Sequence, residues 1–219
     1  MGEYASSLEE KNLEDERIIT NYWREIHSEM SKILKELSGL VIITHNSIEF
    51  VDILELLSKI RPEKNLKLLY VSLTRSYDYM RLELKHNKLE NKQITFIDCV
   101  SQYAFIKKHE LEDCYYRDPP LNLEEMKKII TFGISKCNPD MIIIDSLSQF
   151  INFSRPTDSE ISSLYKFLHS IKANSLNAIQ DTFLLLYDNK LGVMQNLPKM
   201  HTDLILKVEI IKERINWRD

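Results

Sequence analysis

The chain has 219 residues, of which 43% are hydrophobic and 28% are charged, and this balance is typical of one globular domain with a sizeable core. The net charge of −4 argues against a dedicated nucleic-acid binder, because such proteins usually present a basic domain. The three cysteines form no C-x-x-C pair, which argues against a zinc site and favours a reducing compartment. No apolar run approaches the ~20 residues that cross a bilayer, so we expect a cytoplasmic protein without a membrane partner.

Residues 1–38 predict an N-terminal helical segment, and residues 39–219 predict one α/β domain. Between Ile19 and Leu37, apolar residues recur at steps of three and four, which is the spacing of a long amphipathic helix, and Ser38-Gly39 ends it. The apolar face of this helix suits packing on the domain, which we favour, or binding to a partner protein.

Strands and helices alternate along the rest of the chain. Apolar runs predict strands at Leu40–Thr44, Leu66–Leu73, Ile94–Ile97, Met141–Ile144, Thr182–Tyr187 and Asp203–Val208. Helices are predicted from Ser47, over Ser76–Lys88, after an Asn122 cap and after a Thr157 cap. Such strands, separated by helices, predict a three-layer α/β/α fold with a mostly parallel sheet.

Two segments depart from this alternation. Residues 99–121 have no clear periodicity and predict a long excursion with room for a short helix. Residues 209–217 predict an antiparallel strand at the C-terminal end of the sheet.

Periodicity also predicts which residues two of the helices bury. The residues expected to be buried by the helix after the first strand are Phe50, Ile53, Leu54, Leu57 and Ile60. The residues expected to be buried by helix Ser76–Lys88 are Tyr79 and Leu82, with His86 as a further candidate.

Parallel sheets of this kind bind ligands beyond the carboxyl ends of their strands. Our candidate ligand-binding residues at these ends are Thr44, His45, Asn46, Arg75, Asp145 and Ser146. Asp145 suits Mg²⁺ binding or hydrogen bonds to nearby backbone N–H groups, and we favour the second. His45 and Asn46 suit a ligand or a tight turn with a helix cap, which we favour. Arg75 suits an anionic ligand, a contact across a subunit boundary or a local ion pair.

Two further groups of residues suggest weaker hypotheses. Four residues of metal-ligand type have no spacing typical of a metal site, so we expect no metal: His45, Asp145, Asp188 and His201. Four others suit stacking on nucleic-acid bases, or equally an anchored loop or a protein interface: Tyr103, Tyr115, Tyr116 and Arg117.

Several of these segments match motifs of a known family. Leu69–Leu73, LYVSL, resembles a second-strand motif written YVS and followed by an acidic pair. Met141–Leu147, MIIIDSL, resembles a Walker B strand. The segments that resemble the third, sensor and late strands are Ile94–Asp98, Phe183–Tyr187 and His201–Leu206. In order and spacing, these segments resemble the core of RecA-type ATPases, in particular the archaeal KaiC/RadA-like branch.

This resemblance implies ATP hydrolysis by a phosphate loop, a Walker B acid that holds Mg²⁺ and a carboxylate that activates water. The phosphate loop G-x-x-x-x-G-K-[ST] would fall at Thr44–Asp52, where the chain has no glycine and no lysine. Thr74-Arg75 stands in place of the acidic pair, so only Asp145 is present of the three parts. We therefore expect a degenerate Walker A site, no catalytic residue, no resident cofactor and no ATPase activity.

The sequence thus favours a catalytically inactive RecA/KaiC-like protein that works through protein interaction, as a regulator or scaffold that self-assembles or binds an active ATPase relative. One alternative is a binder of Mg-nucleotide or another small molecule with a rebuilt site around His45, Arg75 and Asp145. The other is a DNA-binding accessory protein like the recombination paralogues, which the acidic charge balance disfavours.

Overall fold

A computed structural model describes residues 39–46, 48, 50, 52–54, 66–87, 93–102, 109–174, 182–191 and 202–208. The predicted N-terminal helix, the C-terminal antiparallel strand, and Leu57 and Ile60 lie outside these ranges. No helix within them is both long enough and apolar enough to cross a membrane.

The described residues form seven strands and four helices. The strands are β1 Gly39–His45, β2 Leu68–Ser72, β3 Ile94–Asp98, β4 Cys114–Tyr116, β5 Met141–Asp145, β6 Thr182–Asp188 and β7 Leu204–Val208. The helices are α1 Tyr77–His86, α2 Leu123–Cys137, α3 Leu147–Ser154 and α4 Asp158–Asn174, and Phe50 and residues 52–54 are also helical.

The strands form one sheet in the order β4-β3-β2-β5-β6-β1-β7, and every neighbouring pair is parallel. Each face of the sheet has its own core. The helical residues after β1 pack with α1 on one face, which we call the first face, and α2, α3 and α4 pack on the opposite face. The predicted three-layer α/β/α fold is confirmed.

Two short elements were not predicted. The strand β4 lies inside the 99–121 excursion and pairs with β3, and the described part of that excursion contains no helix. The helix α3 follows β5 directly, where Ser146 is its N-cap and its hydroxyl accepts the Gln149 N–H at 3.3 Å. Three-residue and eight-residue elements are too short for periodicity to reveal, although Ser146-x-x-Gln149 is a capping-box spacing.

The buried face of α1 differs from the prediction. Tyr79 and Leu82 are 39% and 50% exposed, whereas Tyr77 and Met80 are buried. Tyr77 decides this rotation because its backbone N–H donates to Asp98 Oδ2 at 2.7 Å and its hydroxyl donates to Asp113 at 2.8 Å. Apolar spacing alone fitted two faces of the helix, and hydrogen bonds to distant residues selected between them.

The start of β1 depends on a glycine. Gly39 has φ +87°, and a Cβ at this position would overlap Asp203 Oδ2. That carboxylate accepts the Leu40 N–H at 2.7 Å, and the Asp203 N–H donates to the Leu40 carbonyl at 2.9 Å. The close approach joins β1 to the segment that enters β7.

We expect Gly39→Ala to lower the free energy of unfolding by about 2 kcal/mol, because the substitution combines an unfavourable φ with an overlap at Asp203. Urea denaturation followed by circular dichroism measures this change. On an Asp203→Ala background the overlap is absent, so the same substitution should cost less. Equal costs on both backgrounds would show that Asp203 does not constrain Gly39.

Candidate functional site

Polar side chains line the carboxyl end of the sheet on the first face. Ser72 pairs in register with Asp98 on one side and with Asp145 on the other. His45 of β1 pairs with Asp188 of β6, which lies two residues beyond the partner of Asp145 on that strand. Each of these residues lies two positions after an apolar residue of the first-face core, so strand alternation puts all five on that face. This row is the candidate site.

Asp145 is the centre of the site. It is 2% exposed, and its Oδ2 forms an ion pair with Arg75 Nη1. The same oxygen accepts a hydrogen bond from the Tyr70 hydroxyl at 2.6 Å. A buried carboxylate is stable only when it is paired and hydrogen-bonded, and these two donors supply both.

Arg75 connects three parts of the fold. Its Nη2 donates to the Ile48 carbonyl, just beyond β1, at 2.7 Å, while its Nη1 contacts Asp145 at the end of β5. The Arg75 backbone is held at the end of β2, where its N–H donates to Ser72 Oγ at 3.0 Å and its carbonyl accepts from the same hydroxyl at 2.6 Å. The Arg75 side chain is only 15% exposed, so this cation is part of the interior of the site.

Tyr70 contributes packing as well as a hydrogen bond. Its ring is fully buried and meets Phe50 edge to face, with ring centroids 5.4 Å apart. Burial, followed by the nearby Asp145 carboxylate, raises the pKa of the Tyr70 phenol well above its usual value. The phenol therefore stays protonated and acts as a permanent donor to Asp145.

His45 lies at the other end of the polar row and is 4% exposed. Its Nδ1 accepts the Ile48 N–H at 3.2 Å, and its buried Nε2 has no hydrogen-bond partner among the described residues. Burial lowers the pKa of His45 from 6.5, and the carboxylates of Asp188 and Asp145 oppose this effect in part. The imidazole is therefore neutral near pH 7.

Two of the other predicted site residues, Thr44 and Ser146, hydrogen-bond to backbone groups. The Thr44 hydroxyl donates to the Leu206 carbonyl of β7 at 3.2 Å, and Thr44 lies on the opposite face of β1 from His45. Ser146 caps α3, and its hydroxyl lies 2.8 Å from that of Ser148. Asn46 is half-buried in the turn that follows β1. The structure thus brings Arg75 and Asp145 into contact, with His45 in the same polar row.

The carboxylate at the end of the neighbouring strand β3 is also fully hydrogen-bonded within the protein. Asp98 is fully buried, and its carboxylate accepts from the backbone N–H groups of Tyr77, Val100 and Ser101 at 2.7–2.8 Å. The Ser101 hydroxyl adds a fourth bond at 2.6 Å. These bonds close the turn after β3 and use the carboxylate completely.

The structure also bears on the two weaker hypotheses, the metal site and the group of residues suited to base stacking. No group of three or more histidine, cysteine or acidic residues in the described ranges is arranged to hold a metal ion, and His201 lies outside these ranges. The Arg117 guanidinium lies 4.0 Å from the centroid of the Phe132 ring, and Tyr115 meets that ring edge to face at 5.2 Å. Tyr115 and Arg117 thus belong to an aromatic cluster that anchors β4 on α2.

Sequence reasoning missed two members of the site. The sequence pattern places Tyr70 in an apolar strand, although a tyrosine in a buried strand needs an acceptor for its hydroxyl. Because Tyr70 lies two residues before Ser72, strand alternation puts both on one face, and the pairing of β2 with β5 brings that face to Asp145. The Ile48 carbonyl carries no side-chain signal, so the sequence alone could not have identified it.

An all-parallel sheet with polar residues at its carboxyl edge is the architecture of many ligand-binding α/β proteins. No protein-family model matches the chain, and no curated protein is significantly similar to it in sequence. Among solved structures, the chain is similar to a KaiC-like protein from the hyperthermophilic archaeon Pyrococcus horikoshii OT3, with a TM-score of 0.52. The match covers 81% of this chain and 74% of that protein at 11% identity. The chain therefore has the RecA-like fold of a KaiC-like protein.

Arg75→Ala should destabilise the protein by about 3 kcal/mol, because it leaves the Asp145 carboxylate buried without its cation. Arg75→Lys should be intermediate, since one ammonium group lacks the fork that reaches both Asp145 and the Ile48 carbonyl. Urea denaturation checks both values. Adding Asp145→Asn to Arg75→Ala removes the unpaired charge and should recover part of the loss. A double variant no more stable than Arg75→Ala would contradict the ion-pair assignment.

Tyr70→Phe should cost about 1–2 kcal/mol, because it removes a hydrogen bond to a buried carboxylate while keeping the ring. Tyr165→Phe is the matched control. The Tyr165 hydroxyl is also buried but has no hydrogen-bond partner among the described residues, so its removal should be neutral or stabilising. Thermal unfolding measures both, and equal losses would show that the Tyr70–Asp145 bond adds nothing.

Proposed function

We propose that this protein is a catalytically inactive relative of RecA/KaiC-type ATPases that acts through protein interaction. The observation that carries the proposal is the ion pair between Arg75 and Asp145. In the resemblance described above, Asp145 is the acid that would hold Mg²⁺. A metal ion at this carboxylate would have to displace the guanidinium, because two cations at one buried carboxylate repel each other strongly.

The rest of the strand-end chemistry supports the same proposal. Position 75 carries a positive charge where the family has an acidic pair, so the group that would activate water is replaced by one of opposite charge. Between Thr44 and Ile53 no glycine lets the backbone curl around phosphate, and no lysine supplies charge to it. In this proposal, the degenerate Walker A segment borders a strand-end site that the side chains of the protein itself fill.

The surface of α1 supports an interaction role. Tyr79 and Leu82 lie one turn apart on its outer side and are 39% and 50% exposed. Tyrosine is enriched at protein contact surfaces, and Leu82 adds exposed apolar area on the same helix. Because RecA-type proteins assemble side by side, a second copy of this chain is the partner we propose, and an active ATPase relative is the second candidate.

The absence of nucleotide binding is tested by thermal unfolding with and without Mg-ATP, Mg-ADP and Mg-GTP at millimolar concentration. We expect no shift in Tm for the wild-type chain. A nucleotide bound with micromolar affinity would instead stabilise the fold by about 4 kcal/mol at a thousandfold excess over Kd. A rise of several degrees that Asp145→Ala abolishes would overturn the proposal in favour of a nucleotide binder.

The interaction role is tested by sedimentation velocity over a wide concentration range without ligand. We expect a larger mean size at higher concentration and a loss of this dependence in Leu82→Glu, which puts a charge on the contact surface. Leu191→Glu is the control, because Leu191 is 49% exposed but follows β6 instead of lying on α1. A monomer at all concentrations would exclude self-association. Salt-sensitive retention on DNA would favour the accessory-protein alternative.

A further inference from the structure

The strand-end site contains a buried imidazole that the ion pair does not use. His45 is 4% exposed, and it contacts the same residue that holds Arg75. Its Nδ1 accepts the Ile48 N–H at 3.2 Å, and the Ile48 carbonyl accepts from Arg75 Nη2 at 2.7 Å. A chain of contacts therefore runs from His45 through Ile48 to Arg75 and Asp145.

The direction of the first bond fixes the tautomer. A backbone N–H can only donate, so His45 Nδ1 must carry a lone pair, and the single proton of the neutral ring is on Nε2. A second proton would have to go to Nδ1. Two donors would then face each other, and the Ile48 N–H would lose its acceptor.

We propose that His45 is an acid-operated release for Arg75: a second proton on the imidazole breaks its bond to Ile48 and frees the Ile48 carbonyl from the guanidinium. The Arg75–Asp145 pair then loses its connection to the turn after β1, and the closed strand-end site opens. The inference rests on the proposed function in one respect, namely that the Arg75–Asp145 ion pair fills the strand-end site, which we call the closed site. It does not depend on the interaction role.

The charges around His45 set how acidic the solution must be. Asp188 pairs with His45 in register on β6, and Asp145 lies one strand further on β5, and both carboxylates favour the protonated ring. Arg75 and the burial of the ring oppose it. On the other side of β1, His45 pairs with Val208 of β7, which carries no charge. Because the balance lowers the pKa of His45 below 6.5, the release operates only below that pH and is absent at neutral pH.

The sign of the effect follows from this lowered pKa. The unfolded chain binds the proton near the ordinary value, whereas the folded chain resists it. The stability that neutral His45 contributes is therefore complete above pH 6.5 and is lost as the pH falls towards the lower folded-state pKa.

NMR on the whole chain tests the proposal. Imidazole ¹⁵N spectra report the tautomer and titration of His45, and amide hydrogen exchange of Ile48, corrected for the intrinsic pH dependence, reports the bond. As the pH is lowered from neutral through the His45 titration, we expect at least about a tenfold loss of Ile48 protection. The Arg75 guanidinium ¹⁵N shifts should move over the same range.

His45→Asn is the matched variant, because its Oδ1 can accept the Ile48 N–H and the side chain does not titrate. We expect it to keep Ile48 protection at acidic pH. A proton on Nδ1 at neutral pH, unchanged Ile48 protection while His45 titrates, the same loss in His45→Asn, or titration only together with global unfolding would each overturn the release. If His45→Asn does not fold, the tautomer and titration of the wild-type chain still decide.

The same spectra separate this inference from the proposed closed site. In Arg75→Ala, the bond between His45 and Ile48 should still respond to pH, because it does not involve the guanidinium. If the wild-type Arg75 resonances show no ion pair at neutral pH, the closed site fails while the response of Ile48 is still measurable. If the ion pair is present but ignores the His45 titration, only the release fails.

Discussion

The ion pair between Arg75 and Asp145 is the interaction on which the carboxyl end of the sheet depends. Burying one carboxylate and one guanidinium costs several kcal/mol each, and this cost is recovered only when both groups are paired and hydrogen-bonded. The Tyr70 hydroxyl and the Ile48 carbonyl complete these bonds. The loss of any one of these four groups leaves another buried polar group with too few hydrogen bonds. The four groups are the guanidinium, the carboxylate, the Tyr70 hydroxyl and the Ile48 carbonyl.

Because the ion pair joins the ends of β2 and β5 to the turn after β1, it does the positioning that a bound ligand often does in proteins of this architecture. The strand ends of a parallel sheet concentrate backbone dipoles and polar side chains, and an empty site would leave some of them unsatisfied. Here the chain supplies its own cation. A site filled in this way leaves the outer surface for the interaction role that we propose.

The fold could be predicted well from sequence because continuous apolar runs separated by helical periodicity have few other solutions. The predictions failed where the signal was short or ambiguous. β4 and α3 are too short for periodicity, and α1 offered two apolar faces whose choice depended on hydrogen bonds from Tyr77 to Asp98 and Asp113. Contacts between residues distant in the chain decided the outcome for β4 and α1, whereas α3 depends on the local Ser146 cap.

The site could be predicted only in part, for a related reason. Arg75 and Asp145 were each recognisable as polar residues after apolar strands, but their pairing depends on β2 lying beside β5, which the chain order does not state. The Tyr70 hydroxyl needs an acceptor whose identity the sequence does not give, and Ile48 acts through its backbone. The burial of His45 likewise depends on neighbours from β6 and β7.

The position of β1 in the sheet has a consequence for the order in which the chain can fold. Its two neighbours are β6 and β7, which begin at Thr182 and Leu204, so neither edge of β1 can be paired until the chain has been synthesised beyond Thr182. Pairing over such sequence distances is slow, because the loop entropy is lost before the contacts form. Until then, the apolar run of β1 has unpaired edges, and unpaired apolar strands are a site of aggregation during synthesis.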